Sequence, residues 1–135
     1  MEVAITKKKE LEIYIHIPFC VRKCAYCDFL SGPAAPEEQK AYVQALIKEI
    51  RAAACYRSRY EVTTIFFGGG TPSLLSGEQL DEIMRTIKES FPIREDAEIT
   101  MEMNPGTANR EKLKAYRQAG INRLSIGLQS ANNQE

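Results

Sequence analysis

The sequence predicts an α/β fold in which about four parallel strands alternate with three helices. Short apolar or β-branched runs alternate along the 135-residue chain with longer stretches of helical periodicity. The run at 62–67 is almost unbroken in this character, which suits a strand covered on both faces, as in a parallel sheet. Four such strands form only an arc of a (β/α) barrel, so we expect a partial barrel.

The first strand and the first helix are predicted from two different periodicities. The strand is predicted over 11–17, where isoleucines alternate with Tyr14 and His16. The helix is predicted over 36–56, because Pro36 suits a first helical turn and an apolar stripe follows at helical spacing. The stripe consists of Tyr42, Leu46, Ile50 and Ala53.

Capping signals place the later elements. Ser76 begins the second helix, because Gln79 three residues later completes a capping box. The apolar face of this helix consists of Leu80, Ile83, Met84, Ile87 and Phe91. Gly120 stands in the usual stop position of the third helix. The third strand, third helix and fourth strand are predicted over 98–103, 109–119 and 123–128.

The chain is predicted to form one domain, since it shows neither a repeat of fixed period nor a linker. We expect residues 1–10, with a short basic run at 7–9, to be a solvated tail and residues 11–135 to form the domain. A curled four-stranded sheet would leave edge groups and part of an apolar face uncovered. We therefore expect an N-terminal part of a longer protein, with a compact four-stranded domain as the alternative.

Charge and hydropathy exclude several classes of partner. Acidic and basic residues balance at 18 each, so we expect no nucleic-acid partner and no attraction to anionic lipid. The sequence contains no run that could span a membrane, and its first residues lack the order of a signal peptide. A reducing, cytoplasmic location is therefore expected, where clustered cysteines bind metal or catalyse more often than they form disulfides.

Unusual residues follow each predicted strand. Three cysteines follow the first strand, and the segment GGGTP, 68–72, follows the second. Glu102 ends the third strand, and Gln129 follows the fourth. Because ligands gather at the carboxyl ends of parallel strands, these groups predict a single ligand site at that edge.

The cysteine spacing indicates an inorganic centre. Cys20, Cys24 and Cys27 can surround one face of an iron–sulfur cluster and leave one iron open for a small molecule. Zinc is the alternative, with His16 as the fourth ligand of H-x3-C-x3-C-x2-C, unless His16 is packed in the sheet. Cys55 is expected at the far end of the first helix as a small buried hydrophobic residue.

The glycines and Glu102 predict a polar small-molecule pocket. Without Cβ atoms, Gly68–Gly70 let a group such as an ammonium approach the backbone, although a tight turn would also explain them. The segment departs from both phosphate-binding patterns. Glu102 is predicted to face away from its neighbours Met101 and Met103, where a ligand or a salt bridge would meet the carboxylate.

Four segments together resemble a known family: YIHIPFC, FGGGTPS, EMNPGT and INRLSIGLQS, within 14–130. With the C-x3-C-x2-C spacing and an aromatic Tyr26 before the last cysteine, they resemble the radical S-adenosylmethionine (SAM) superfamily. The match is to the branch that contains oxygen-independent coproporphyrinogen III oxidase and the heme chaperone HemW. The fold that the resemblance implies is a partial TIM-like radical SAM barrel.

The resemblance also implies cofactors and their ligands. Cys20, Cys24 and Cys27 would hold a [4Fe–4S] cluster whose remaining iron binds the amino and carboxylate groups of SAM. Family chemistry then implies reductive cleavage of SAM to methionine and a 5′-deoxyadenosyl radical. The positions that match the SAM pocket are Tyr14, Tyr26, Gly68, Gly69, Gly70, Thr71, Glu102 and Gln129.

One departure from the oxidase pattern favours a heme chaperone over a decarboxylating oxidase. Phe29 stands where the oxidase has an additional cysteine. The implied partners are SAM, heme or a porphyrin, an electron-donor protein and a recipient heme protein. Family members add further strands and C-terminal segments, so we do not expect substrate turnover from these 135 residues alone.

Overall fold

The computed structural model describes residues 8–20 and 35–126, and it confirms the predicted α/β class. One parallel sheet has the order β1-β2-β3-β4, and a helix connects each strand to the next. The elements are β1 Lys9–Ile17, α1 Pro36–Ala52, β2 Tyr60–Gly69, α2 Gly77–Ser90, β3 Ile93–Met103, α3 Arg110–Ala119 and β4 Arg123–Ile126.

The two faces of the sheet differ in character because side chains alternate along each strand. On one face, Ile15, Phe67 and Met101 stand in register and belong to the core against the helices. On the other face, Tyr14, Phe66 and Thr100 stand in register, and Tyr14 is 59% exposed. The sheet therefore presents a polar and aromatic surface opposite its helices.

The capping predictions for α2 and α3 are confirmed. Ser76 Oγ accepts a hydrogen bond from the Gln79 amide, and Gln79 Oε1 accepts one from the Ser76 amide, both at 3.0 Å. Gly120 ends α3 with φ +123°, a conformation that favours glycine. The apolar residues predicted for the face of α2 are all buried.

Several boundaries differ from the predictions, mostly at the amino ends of strands. β1 begins at Lys9, so two residues expected in the tail pair with Tyr60 and Glu61 at the start of β2. β3 begins at Ile93, where polar residues extend a strand predicted from 98. Backbone pairing with β2 determines where β1 and β3 begin, and the hydrophobic pattern of a single strand does not show this pairing. Residues 127–128 of the predicted fourth strand lie outside the described residues.

Of the apolar stripe predicted for α1, Ile50 is buried as expected, and the other three residues are not the buried ones. Val43 and Ile47 are each 2% exposed and form the centre of its contact with the sheet. Tyr42, Leu46 and Ala53 are only partly buried at the margin of the core. The helix also ends earlier than predicted, at Ala52, and a short 3-10 turn, Ala53–Tyr56, follows it.

Asn122 extends the ladder between β3 and β4 with its side chain. Its Oδ1 accepts from the Ile99 amide at 2.8 Å, and its Nδ2 donates to the Ala97 carbonyl at 2.9 Å. The Asn122 amide also donates to the Ile99 carbonyl at 2.9 Å. The Asn122 side chain thus hydrogen-bonds the Ile99 amide and the Ala97 carbonyl, two backbone groups of β3 that do not pair with β4.

We expect Asn122→Ala to destabilise this end of the sheet by about 1–3 kcal/mol, because the Ile99 amide and the Ala97 carbonyl would lose their partner. Hydrogen exchange at the Ile99 amide, measured in the full-length protein, should become faster. Gln118→Ala, an exposed change on α3, serves as the control. Unchanged protection of Ile99 in Asn122→Ala would contradict this role.

No helix in the described ranges, 8–20 and 35–126, is long and apolar enough to cross a membrane.

Candidate functional site

The segment after β1 lies directly against the glycine segment after β2. The Gly70 amide donates to the Ile17 carbonyl at 2.8 Å, and the Thr71 amide donates to the Phe19 carbonyl at 2.6 Å. A Cβ atom on Gly70 would lie 2.5 Å from the Phe19 oxygen and 3.0 Å from Cys20 Sγ. The first cysteine of the motif and the glycine loop therefore meet, and a side chain at Gly70 cannot fit between them.

The other two glycines are required for different reasons. Gly69 has φ +115°, and a Cβ atom there would lie 2.8 Å from both the His16 ring and the Ile17 oxygen. At Gly68 a Cβ atom would lie 2.8 Å from the Tyr14 hydroxyl and 2.9 Å from Glu102 Oε1. The backbone of Gly68 thus lies beside a phenol and a carboxylate.

Glu102 faces the glycines, as its position in the strand predicts. Met101 and Met103 on either side are 0% and 5% exposed, whereas Glu102 is partly exposed on the opposite face. Its Oε1 accepts a hydrogen bond from the Gly69 amide at 3.1 Å. Among the residues that the structure describes, the ion pairs do not include Glu102, so the salt-bridge alternative has no partner there.

An aromatic surface adjoins this carboxylate. The rings of Tyr14 and Phe66 are stacked, with centroids 5.9 Å apart and planes 15° apart. The exposed ring of His16 lies 6.3 Å from that of Tyr14, so His16 is not packed inside the sheet. Phe66 was missed in the sequence analysis, although its position two residues before Gly68 places both on one face.

The loops after β2 and β3 are joined by the buried hydroxyl of Ser73 and the half-buried hydroxyl of Thr107, which the sequence analysis also missed. Ser73 is 0% exposed, and its Oγ lies 2.5 Å from Thr107 Oγ1. The Ser73 carbonyl accepts from Lys112 Nζ at 2.7 Å and from the Tyr116 hydroxyl at 3.0 Å. Burial lowers the pKa of Lys112 and raises the pKa of Tyr116. In the sequence, only the recurrence of hydroxyl residues after neighbouring strands could have indicated this contact between the two loops.

Four predicted site residues, Cys24, Tyr26, Cys27 and Gln129, lie outside the described residues. Within 8–20 and 35–126, no three histidine, cysteine or acidic side chains are grouped as metal ligands. The described part of the site therefore holds Cys20, the glycine segment with Thr71, Tyr14 and Glu102.

The prediction that Cys55 is buried is wrong. Cys55 is exposed, because α1 ends at Ala52 and the following turn lies beyond the core. The connection continues to Arg59, whose carbonyl accepts from the Lys9 amide at the start of β1. Cys55 is therefore near the amino end of the sheet, roughly 25–30 Å along β1 from the end that carries Cys20.

The residues present fit a small ligand that carries an ammonium group and hydroxyl groups beside a thiolate-bound centre. The backbone of Gly68–Gly70 lies at this edge, and Glu102 and Tyr14 supply a carboxylate and a phenol beside it. Such a carboxylate is stabilised by ammonium or hydroxyl donors. Cys20, partly exposed beside Gly70, places a thiol at the same edge.

The fold and this edge together are typical of an α/β domain that binds a ligand at the carboxyl ends of parallel strands. Residues 14–134 match the model of the Radical SAM superfamily, and the chain belongs to that superfamily. The chain is 46% identical over 127 residues to "Heme chaperone HemW" of Escherichia coli strain K12, covering 93% of this chain and 34% of the relative.

Two further similarities come from more distant sources. "Radical S-adenosyl methionine domain-containing protein 1, mitochondrial" of Danio rerio is 35% identical over 123 residues, covering 91% of this chain and 28% of the relative. The solved structure of coproporphyrinogen III oxidase (HemN) from Escherichia coli, a radical SAM enzyme, superposes with a TM-score of 0.82. It is 33% identical and covers 93% of this chain and 29% of that chain.

These comparisons confirm the family predicted from the motifs and the partial barrel predicted from the strands. The chain spans about a third of the length of the curated relatives it matches. The relatives named heme chaperone include proteins from Escherichia coli, Buchnera aphidicola and Haemophilus influenzae.

Proposed function

We propose that this chain is the cluster- and SAM-binding portion of a HemW-like heme chaperone. The observation that supports this most is the convergence of Cys20, the Gly68–Gly70 backbone and Glu102 at one edge of the sheet. Membership in the Radical SAM superfamily indicates which ligands this edge would bind, namely an iron–sulfur cluster and SAM.

In this proposal Cys20, Cys24 and Cys27 hold a [4Fe–4S] cluster through their thiolates. When bound, the cluster supplies one electron to SAM and an open iron at which SAM is held. The role of Gly70 is steric, since only a residue without Cβ lets the Cys20 segment lie this close to the loop. The paired backbone of Thr71 and Phe19 keeps the two segments together.

The SAM pocket is proposed to lie over Gly68 and beside Glu102. The Gly69 amide donates a hydrogen bond to one oxygen of the Glu102 carboxylate, and this bond orients the carboxylate toward a ligand. Tyr14, stacked on Phe66, borders the pocket with its hydroxyl. The remaining pocket positions in this proposal are Thr71, Tyr26 and Gln129.

Removing the Glu102 carboxylate is expected to weaken SAM binding and leave the cluster in place. A hydrogen bond to a charged group is worth about 1.5–3 kcal/mol, so we expect Glu102→Ala to bind SAM about 10- to 150-fold more weakly. Equilibrium dialysis with anaerobically reconstituted full-length protein measures this. Glu95→Ala, an exposed change near the amino end of β3, is the control. Equal affinity in Glu102→Ala and the parent would remove Glu102 from the pocket.

Two observations support the chaperone over the oxidase. Phe29 replaces the additional cysteine of the oxidase pattern. Relatives named heme chaperone are up to 46% identical among those compared, whereas the oxidase structure is 33% identical. The proposal therefore includes heme as a bound ligand, with an electron-donor protein and a recipient heme protein as partners in a cytoplasmic setting.

The oxidase remains the second candidate because its fold superposes closely on this chain. The test uses the full-length protein with its cluster reconstituted under exclusion of oxygen. Stable heme binding without conversion of coproporphyrinogen III is the expected result. Decarboxylation of coproporphyrinogen III coupled to SAM consumption would overturn the chaperone assignment in favour of the oxidase.

A further inference from the structure

Ser73, Thr107 and Asn104 form a closed ring of three hydrogen bonds between the loops that follow β2 and β3. Ser73 Oγ and Thr107 Oγ1 are 2.5 Å apart. Thr107 Oγ1 donates to the Asn104 carbonyl at 2.7 Å. The Asn104 amide donates to Ser73 Oγ at 3.2 Å. Each residue of the ring therefore contacts both others.

The number of protons determines the direction of every bond in the ring. A hydroxyl carries one proton, and that of Thr107 is donated to the Asn104 carbonyl. Ser73 must therefore donate its own proton to Thr107 Oγ1, while Ser73 Oγ accepts from the Asn104 amide. The three bonds run in one direction, so each polarises the next. Loss of the Thr107 hydroxyl would leave the proton of the buried Ser73 hydroxyl without its acceptor, whereas the Asn104 carbonyl would keep its bond from the Thr107 amide at 2.9 Å.

The ring is attached to α3 through the backbone of Ser73. Lys112 Nζ and the Tyr116 hydroxyl both donate to the Ser73 carbonyl, and Tyr116 also lies 2.5 Å from the Leu75 carbonyl. The single Tyr116 proton is shared between two carbonyls, so Lys112 supplies the undivided bond to Ser73. The loop after β2 is thus held from two sides, by the loop after β3 and by a helix.

The position of the ring connects it to the candidate pocket. Ser73 stands two residues after Thr71, and Asn104 stands two residues after Glu102. The backbone runs from Gly69 to Ser73, and the ring connects Ser73 to Asn104 and so to Glu102. The Gly69 amide and Glu102 Oε1 complete this loop with a hydrogen bond of 3.1 Å. The ring is therefore one of the links that connect the glycine backbone to the Glu102 carboxylate.

We propose that Ser73, Thr107 and Asn104 are positioning residues that set the separation between the glycine backbone and the carboxylate and thereby the affinity for SAM. They act through Gly69 and Glu102 and do not touch the ligand themselves. The proposal rests on the proposed function, because SAM is the ligand whose affinity is measured.

The test compares Thr107→Val, which removes the hydroxyl and keeps the shape, with Thr107→Ser, which keeps the hydroxyl. In full-length protein with its cluster, equilibrium dialysis should show SAM binding to Thr107→Val weakened about tenfold, with Thr107→Ser close to the parent. The matched control is Thr86→Val. Thr86 is 2% exposed and donates its hydroxyl to the Glu82 carbonyl at 2.8 Å within α2.

Hydrogen exchange of the Gly69 amide reports the separation without relying on SAM. It should become faster in Thr107→Val and stay unchanged in Thr86→Val, with iron content equal in both. Lys112→Met provides a second variant that leaves the hydroxyl ring in place. We expect several-fold weaker SAM binding than in its exposed control, Lys114→Met.

Parent-like SAM affinity in Thr107→Val, or an equal loss in Thr86→Val, would overturn the positioning role. A parent protein that holds its cluster and does not bind SAM would instead contradict the proposed function. In that case the exchange rate of the Gly69 amide still decides whether the ring sets the separation.

Discussion

Replacing Cys20 with alanine is expected to abolish cluster binding, with iron falling from about four per chain to near zero. The two remaining thiolates of the motif cannot anchor the cluster at three corners. The Cys20 side chain lies beside Gly70, at the edge where the glycine loop and Glu102 converge. Loss of the cluster should also abolish the change that SAM causes in the cluster's spectrum.

Cys55→Ala is the matched control, since it removes a thiol of the same kind far from this edge. Cys55 is exposed in the turn after α1, near the amino end of the sheet. Iron and sulfide content, measured after anaerobic reconstitution of full-length protein, should equal the parent in Cys55→Ala. Full iron content in Cys20→Ala would contradict the assignment of Cys20 as a ligand.

Gly70→Ala is expected to have the second-largest effect. The added methyl group would lie 2.5 Å from the Phe19 carbonyl oxygen and 3.0 Å from Cys20 Sγ, so backbone must move. Overpacking of this kind costs about 1–3 kcal/mol. It would also separate the hydrogen-bonded pairs Gly70–Ile17 and Thr71–Phe19, which hold the first cysteine against the glycine loop. We expect reduced iron content and SAM binding weakened at least tenfold.

Gly106→Ala, in the loop after β3, separates a local clash from a general effect of removing glycine. A methyl group there would meet only Asn104 Oδ1, at 3.3 Å, and Gly106 has no positive φ. Iron content and the melting temperature are measured in both variants, and SAM affinity is compared between Gly70→Ala and the parent, because Gly106 lies between Asn104 and Thr107. Parent-like values for Gly70→Ala would show that the Cys20 segment does not depend on this close approach.

The order of elements could be predicted because it depends on local patterns. Alternating isoleucines in β1, the apolar face of α2, the helix start at Ser76 and the helix stop at Gly120 all appear within a few residues of sequence. The starts of β1 and β3 could not be predicted from pattern. Lys9 and Glu10 pair with the start of β2, and Ile93 pairs with Val62, and single-sequence hydrophobicity does not contain this backbone pairing.

Part of the candidate site could be predicted from the rule that ligands bind at the carboxyl ends of parallel strands. That rule brought Cys20, the glycines and Glu102 to one edge, as the structure places them. The ring of Ser73, Thr107 and Asn104 depends on the distance between two loops, which the sequence pattern does not specify. Cys55 was misjudged because free cysteines are often buried, whereas this one lies in a turn beyond the core.

The central claim is that three cysteine thiolates hold an iron–sulfur cluster whose open iron binds SAM. The most direct test is electron paramagnetic resonance of the reduced full-length protein, prepared without oxygen, before and after addition of SAM. The account predicts a [4Fe–4S] signal that SAM shifts in the parent and in Cys55→Ala. A colourless protein with stoichiometric zinc, or a cluster signal that SAM leaves unchanged, would contradict it.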